Sequence, residues 1–323
     1  MYPLKFEPIL KPVIWGGDEI CRFKNIRPLQ DGIGESWEIS GVKGNVSVVA
    51  NGELKGTYLD ELIEKYPNEL VGAKNIKRFG KTFPLLIKFI DAKQALSIQV
   101  HPDDELAKKR HNSFGKTEMW YIIDAAENAF LYSGFSQQIT PEQYVKSIKN
   151  DTFINYLQKH DVVSGDAFFL PAGRVHAIGA GCFIAEIQQT SNITYRIYDY
   201  NRKDANGNPR ELHTELAKDA IEYKIDPDYR LRYAPIKEDV QKLVECPYFT
   251  TTLINARRGE SLQFYSKDSF SIFICMEGKG TLTDEKKNSI DFKQGESILI
   301  PANNTLIILN LQKNSKLLET HID

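Results

Sequence analysis

The feature that most constrains the fold of this chain is a strand-and-corner pattern that occurs twice. The first copy reads GDAFFLPAGRVHAI, residues 165–178, and the second reads GESILIPANNTLII, residues 295–308. In both copies, bulky apolar residues suited to a buried strand lie between a glycine and a proline. Proline ends a strand because it has no N–H to donate to the ladder. The repetition therefore predicts a duplicated β fold.

Short strands at regular spacing fill most of the remaining chain, for example ALSIQVH, EMWYIID and GCFIAEIQ, and later YFTTTLINA, SFSIFICM and TLIILNL. Such spacing is typical of sandwiches and barrels. The sequence therefore predicts a mainly β protein with two barrels. We place the first barrel at residues 1–235 and the second at 236–323, with the boundary in the segment YRLRYAPIKED.

Three helices are predicted as insertions in the first barrel, near residues 57–66, 140–158 and 212–224. The second helix has the clearest start. Thr140 is suited to be its N-cap, Pro141 to be its first residue, and Gln143 to complete a capping box. Ile139 and Tyr144 are spaced to form a hydrophobic staple across this start.

Composition and charge exclude several classes of protein. The 323 residues include 41 Lys and Arg against 43 Asp and Glu, for a net charge of -2, so neither nucleic acid nor an anionic membrane is the default partner. The first residues are interrupted by charges, so no signal peptide is predicted. No stretch of the sequence approaches the apolar length of a membrane span. The four cysteines are isolated, and we predict reduced thiols in a cytoplasmic protein.

The two strand-and-corner copies differ where chemistry is expected. His176 follows the first corner, whereas alignment of the second copy puts Leu306 there. Aligning FSIFICMEG with EMWYIID in the same way puts Phe270 at the position of Glu118. No neighbouring histidine or carboxylate is evident in the C-terminal strands. We therefore predict that the second barrel is degenerate, binds no metal, and turns Leu306 into its interior as apolar packing.

Three segments supply candidate metal ligands. In LSIQVHP, Gln99 and His101 are two residues apart on a predicted strand, so they project from the same face. Glu118 begins the strand of GKTEMWYII, and His176 follows the corner. Two imidazoles, a carboxylate and an amide oxygen form a mixed set that suits zinc, and also iron or manganese. For the LSIQVHP segment by itself, a solvent-facing strand with a chance histidine is the simpler interpretation.

The corner Gly-x5-Pro-x-Gly-x2-His resembles the second signature of the cupin superfamily. The segments LIKFIDAKQALSIQVHPDD, GKTEMWYII, FLPAGRVHAI and EIQQTSNITYRIYDYNR, with WGG at 15–17 and GESWEIS at 34–40, resemble a type I mannose-6-phosphate isomerase of the shorter bacterial kind. The resemblance implies two cupin-type double-stranded β-helix barrels. It also implies one zinc per chain, or another divalent ion, held by the ligand set Gln99, His101, Glu118 and His176.

The resemblance further implies an aldose–ketose isomerase acting on mannose 6-phosphate and fructose 6-phosphate, with a small sugar phosphate as its partner. A proton moves between C1 and C2 through an enediol or enediolate, whose charge a divalent cation stabilises. Arg196 is the implied active-site arginine, serving either the enediolate or the phosphate. Lys116 is a second candidate cation, or else a solvated lysine at a strand end.

Several roles stay open in the sequence. The catalytic base is Glu186, a metal-bound water or Lys116, and Glu186 is alternatively a buried carboxylate paired with an arginine. Tyr121, Tyr195 and Tyr198 are candidates to line a sugar pocket, although aromatic residues in strands are usually core. The sequence carries no signal for the oligomeric state.

Two other functions also stay open. The first is a non-catalytic, metal-dependent sugar-phosphate-binding protein on the same scaffold. The second is an Fe(II) oxygenase with His101, Glu118 and His176 as a facial triad. Gln99 as a fourth protein ligand would leave little room there for both oxygen and substrate.

Overall fold

The structure is a computed structural model that describes residues 1–203, 207–226, 228–233, 240–265 and 268–323. Within these ranges the strands form four sheets, two in each half of the chain. The predicted mainly β class with cupin-type barrels is confirmed. None of the described helices is both long enough and apolar enough to cross a bilayer. All four cysteines are free thiols.

The strands of the N-terminal half are β1 (Leu4–Lys5), β2 (Ile9–Gly17), β3 (Ile33–Ile39), β4 (Leu85–Ala92), β5 (Ile98–Val100), β6 (Glu118–Ala125), β7 (Phe130–Phe135), β8 (Leu157–Asp161), β9 (Ala167–Leu170), β10 (His176–Ile178), β11 (Cys182–Gln189) and β12 (Tyr195–Tyr198). The strands of the C-terminal half are β13 (Val240–Glu245), β14 (Thr250–Ala256), β15 (Ser261–Tyr265), β16 (Ser271–Glu277), β17 (Lys279–Asp284), β18 (Ser289–Lys293), β19 (Ser297–Ile300), β20 (Leu306–Leu311) and β21 (Ser315–His321). The helices are α1 (Glu19–Phe23), α2 (Leu59–Lys65), α3 (Pro67–Val71), α4 (Ala73–Phe79), α5 (Asp104–His111), α6 (Pro141–Lys149) and α7 (Thr214–Ala220).

The first barrel consists of two antiparallel sheets that face each other. A six-stranded sheet has the order β2-β3-β4-β11-β6-β9, and a five-stranded sheet has the order β12-β5-β10-β7-β8. Their inward residues share one buried cluster, which includes Trp120 and Ile184 from the first sheet and Leu131 and Ile178 from the second. The opposite face of the five-stranded sheet packs on α6 and α7. Alternate residues of β5, β10 and β12 therefore point into the barrel.

The second barrel is built in the same way from the sheets β1-β19-β16-β21-β14-β13 and β15-β20-β17-β18. Strand β1, from the start of the chain, joins this barrel because Leu4 pairs opposite Leu299. A third apolar cluster connects the two barrels, and in it the rings of Phe83 and Phe270 are 4.8 Å apart. The predicted boundary at 235/236 falls within 234–239, outside the described residues, so the division stays a prediction.

Helix α6 begins where the sequence places a helix start. Thr140 Oγ1 accepts from the Gln143 N–H at 3.2 Å, and Gln143 Oε1 accepts from the Thr140 N–H at 2.8 Å. Ile139 and Tyr144 are both buried in the same cluster. The end of the predicted segment differs, because a 3₁₀ turn at Phe153–Tyr156 leads into β8 and residues 157–158 form a strand.

Four short helices, α1, α3, α4 and α5, were not predicted. The helix predicted near residues 57–66 ends at Lys65, and Pro67 is the first residue of the next helix, α3. Its fixed φ suits that position, where an N–H would have no partner in the helix. Tyr58 is 48% exposed because it lies at the N-cap of α2, before the helix begins.

Candidate metal centre

His101, Glu118 and His176 converge in the first barrel from three separate segments. His101 follows β5, Glu118 begins β6 and His176 begins β10, and their candidate ligand atoms all lie within 4.8 Å of one another. His101 Nε2 is 3.3 Å from Glu118 Oε1, and His176 Nε2 is 3.7 Å from Glu118 Oε2. All three side chains are buried. Within the described part of the chain, no other group of His, Cys, Asp or Glu has this metal-ligand spacing.

Backbone carbonyls orient both imidazoles. His101 Nδ1 is 2.9 Å from Ile193 O, and His176 Nδ1 is 2.9 Å from Arg174 O. A carbonyl oxygen only accepts, so each Nδ1 carries the hydrogen and each Nε2 presents its lone pair towards Glu118. His176 Nε2 and Glu118 Oε2 are buried without a hydrogen-bond partner. A divalent cation would satisfy both atoms, so the donor set fits a metal.

The charge states of the cluster are those that bind metals. Burial and the charge of Lys116 lower the pKa of His101 to about 4, and burial also lowers the pKa of His176. Burial by itself would raise the pKa of Glu118, but Lys116 and the imidazoles outweigh it and hold that pKa well below its usual range. The Lys116 ammonium contacts Glu118 Oε1 and is 3.2 Å from His101 Nε2. Lys116 is therefore buried within the cluster rather than solvated.

Gln99 and Arg196 lie on the same sheet face as His176. In the antiparallel ladders, Gln99 is opposite His176 on one side and opposite Arg196 on the other. Residues directly opposite each other project from the same face. The sheet therefore places Gln99 beside the cluster and Arg196 one strand further out. Register gives no ligand distance, so metal ligation by Gln99 stays a prediction.

The Arg196 side chain is half-buried and only partly paired. Its Nη1 donates to Glu211 O at 3.0 Å, while its Nε is buried without an acceptor among the described residues. Burial, together with the nearby charges of Arg210 and Arg202, lowers the pKa of Arg196. A buried N–H without a partner, on the face that carries His176, is available to an anionic oxygen.

Glu186 points into the barrel from β11 and is paired with a lysine rather than an arginine. Its Oε1 accepts from Trp120 Nε1 at 2.9 Å, and its Oε2 is 3.0 Å from Lys88 Nζ. Lys88 Nζ is also 3.6 Å from Glu35 Oε2. Our sequence reasoning missed Lys88 and Glu35 as members of this network. A signal was available in the sequence, because Lys88 interrupts the apolar strand LLIKFI. Buried lysines are nearly always paired, so this lysine predicts a buried acidic partner.

The three candidate tyrosines do not face the metal cluster. Tyr121 packs in the cluster between the barrels, and Tyr195 and Tyr198 pack on the helix-covered face of the five-stranded sheet. Tyr121 borders a cavity of about 670 Å³ at the junction of the barrels, which none of the predicted metal ligands lines. Strand alternation therefore turns each of them away from the barrel interior, as expected for core aromatic residues, and a place for them in a sugar pocket stays a prediction.

The second barrel repeats the ladder of the first and corrects our alignment by one residue. Glu118 is opposite Leu170, the residue before the first corner proline. Ser271 is opposite Ile300, the residue before the second corner proline. Ser271, and not Phe270, therefore occupies the position that corresponds to Glu118.

The expectation that Leu306 faces the interior is wrong. Leu306 is only partly buried, whereas Ile307 is 2% exposed and packs in the interior cluster of the second barrel. The corners follow different paths. Gly173 has φ +88°, in the left-handed region that favours glycine, whereas Asn303 does not have a positive φ in the described structure. The second copy of the corner therefore reaches its inward-facing residue, Ile307, one position later than the first copy reaches His176.

The expectation that the C-terminal strands hold no neighbouring histidine or carboxylate is wrong, because His321 and Glu319 lie on β21 and Asp323 lies just beyond it. His321 Nδ1 is 3.0 Å from Glu319 Oε1, and His321 Nε2 is 3.2 Å from Asp323 Oδ1. Burial by itself would lower the pKa of His321, but Glu319 and Asp323 outweigh it and raise that pKa. With a carboxylate at each ring nitrogen, His321 is suited to be an ion-paired imidazolium and not a metal ligand.

Comparison with known proteins gives the same picture for both halves of the chain. Residues 4–128 match the family model described as phosphomannose isomerase type I, catalytic domain. Residues 239–310 match the model described as mannose-6-phosphate isomerase, cupin domain.

Similar proteins extend over nearly the whole chain. Mannose-6-phosphate isomerase ManA of Bacillus subtilis is 38% identical over 93% of both chains. Mannose-6-phosphate isomerase of Streptococcus mutans is 33% identical over 93% of this chain and 92% of its own. The crystal structure of mannose 6-phosphate isomerase from Bacillus subtilis covers 100% of both chains with a TM-score of 0.88 and 32% identity. On this evidence, the chain belongs to the type I phosphomannose isomerase family.

Proposed function

We propose that this protein is a divalent-metal-dependent isomerase that interconverts mannose 6-phosphate and fructose 6-phosphate. The observation that carries the proposal is the buried convergence of His101, Glu118 and His176, with unsatisfied acceptor atoms on the last two. Relatives 38% and 33% identical carry the name mannose-6-phosphate isomerase. They support this reaction over a non-catalytic sugar-phosphate-binding protein or an Fe(II) oxygenase. A cytoplasmic location stays a prediction from the sequence.

We propose zinc as the metal, with one ion per chain. His101, Glu118 and His176 would hold it, with Gln99 as the predicted fourth ligand. When bound, a divalent cation supplies Lewis-acid stabilisation of negative charge on the sugar oxygens. The isomerisation involves no redox change, and a mixed nitrogen and oxygen set suits zinc.

The protein's own cations would act on the substrate charge. Arg196 has a buried Nε–H without an acceptor in the described structure, on the same face as His176. This supports a fixed donor to either the enediolate or the phosphate. Lys116 lies within the cluster, in contact with Glu118 and 3.2 Å from His101 Nε2. Its burial supports an electrostatic role over that of a solvated lysine.

Proton transfer between C1 and C2 still has three candidate groups: Glu186, Lys116 and a metal-bound water. Glu186 is held between Lys88 and Trp120. The hydrogen bond from Trp120 and the ion pair with Lys88 fix the position of the carboxylate. This supports the alternative that the sequence left open, a buried and paired carboxylate, with Lys88 as its partner in place of the expected arginine.

The reaction is tested by a coupled assay that follows fructose 6-phosphate formation from mannose 6-phosphate by the metal-loaded protein. We expect turnover by the wild type and its loss in Glu118→Gln. Glu64→Gln is the matched control, because Glu64 is 65% exposed and pairs with Lys81 on the surface. A wild-type protein that binds metal but forms no fructose 6-phosphate would contradict the proposed function.

A further inference from the structure

Arg196 lies on an edge strand whose free backbone groups are covered by residues 211–213. Strand β12 is the outermost strand of the five-stranded sheet. The Arg196 N–H donates to His213 Nδ1 at 2.9 Å, and the His213 N–H donates to Arg196 O at 2.7 Å. Backbone groups on a sheet edge need such partners when they are shielded from water. His213 satisfies both groups, one with its ring and one with its own backbone.

The same segment also holds the guanidinium of Arg196. Its Nη1 donates to Glu211 O at 3.0 Å. Its buried Nε–H has no acceptor among the described residues and lies on the face that carries Gln99 and His176. A guanidinium fixed at one nitrogen and available at another is preorganised for an anionic oxygen.

We propose that His213 is a positioning residue for Arg196, whose ring accepts the Arg196 N–H at Nδ1 and thereby fixes the arginine towards the metal site. The inference rests on the proposed function, because turnover reports the position of Arg196. Accepting at Nδ1 requires a ring without a proton there. Burial and the charge of Arg196 lower the pKa of His213 and outweigh the opposite effect of Glu211, which favours that neutral ring. The exposed Glu211 carboxylate is 3.9 Å from Nε2 on the other side of the ring.

Substitutions at 213 distinguish this role from simple packing, because asparagine and glutamine place their acceptors differently. The Oδ1 of asparagine reaches the position of His213 Nδ1, whereas the Oε1 of glutamine extends towards the position of Nε2. Only His213→Asn therefore keeps an acceptor for the Arg196 N–H. Leu212→Ala is the matched control, since Leu212 lies in the same segment and is 42% exposed.

The test measures kcat and KM for mannose 6-phosphate with metal-loaded, full-length variants. We expect His213→Ala and His213→Gln to lower kcat/KM by about tenfold, since a misplacement of about 1 Å can cost about a hundredfold and a smaller shift costs less. His213→Asn and Leu212→Ala should stay within about threefold of the wild type. Equal losses in the Asn, Gln and Ala variants, or no loss in His213→Ala, would overturn the inference.

A double-mutant cycle tests whether His213 acts through Arg196. In an Arg196→Ala background, His213→Ala should cause no further loss of kcat/KM. A second loss of about tenfold there would overturn the inference. If His213→Ala does not fold, His213→Asn and His213→Gln are compared instead, in the wild-type and Arg196→Ala backgrounds. The two variants should then differ in kcat/KM only where Arg196 is present. An inactive wild type overturns the proposed function and this inference together, whereas an active wild type with unaffected variants overturns this inference alone.

Discussion

Replacing Lys88 with methionine tests the buried charge network that Lys88 forms with Glu186 and Glu35 in the first barrel. Lys88 is 7% exposed, and its Nζ is 3.0 Å from Glu186 and 3.6 Å from Glu35. Burial by itself would lower the pKa of Lys88, but the neighbouring carboxylates outweigh it and raise that pKa. The lysine is therefore charged at neutral pH. Methionine retains much of its apolar stem and removes the charge.

Removing one partner of a buried ion pair costs about 3–5 kcal/mol, because the other charge is left unpaired and desolvated. We therefore expect Lys88→Met to lower the free energy of unfolding at neutral pH by about 3 kcal/mol. The surface pair of Lys81 and Glu64, 2.6 Å apart with side chains 50% and 65% exposed, provides the control. Lys81→Met should change the free energy of unfolding by less than about 1 kcal/mol.

The assay is urea unfolding of the metal-loaded proteins, with metal content checked at each pH. The Lys88→Met variant should regain part of its loss as the pH falls, because burial by itself would raise the pKa of Glu35 and Lys88 helps to hold that pKa below its usual range. Without that charge, burial favours the protonated carboxyl in the folded state. Lys81→Met should show no such recovery. Equal and small effects of the two substitutions would refute the claim that Lys88 balances a buried negative charge.

Three further outcomes follow from the structure. His176→Ala should lose bound metal and turnover together while its circular dichroism stays near that of the wild type, which metal analysis of the purified variant checks. Arg196→Ala should lower kcat by more than it raises KM if Arg196 serves the enediolate, whereas a raised KM at constant kcat would indicate a phosphate contact. Burial raises the pKa of Asp91 in the folded protein to about 6. The unfolded chain loses this proton at a lower pH than the folded protein, so the free energy of unfolding falls as the pH rises from about 4 to about 6. Asp91→Asn, which keeps an acceptor for the Glu19 N–H, should therefore increase the free energy of unfolding by up to about 3 kcal/mol at neutral pH and by little near pH 4, as urea unfolding would show.

The fold class was predictable because its signals are local. Strand alternation and the glycine and proline of each corner can be recognised within short stretches of sequence. Both Gly165 and Gly295 have the positive φ that favours glycine. The candidate metal ligands His101, Glu118 and His176 were predicted from motif spacing and from the family resemblance. Helices such as α1 and α3, of five residues each, are too short to show a helical period.

The missed features depend on pairings between distant segments. The inward position of Ile307 follows from the backbone path at Asn303, which residue types at the corner do not specify. Lys88 meets Glu186 only because β4 pairs with β11 in the sheet. His213 contacts Arg196 because the chain returns to cover the edge of β12 after 17 residues. Such contacts follow from the completed sheet and not from periodicity.

The central claim is that turnover requires one divalent cation held by His101, Glu118 and His176. The most direct test measures metal content and mannose 6-phosphate isomerisation on the same samples, after chelation and after stepwise addition of zinc. Activity should rise in proportion to bound metal and level off at one ion per chain. Full activity in the metal-free protein, or activity that does not follow metal occupancy, would contradict the claim.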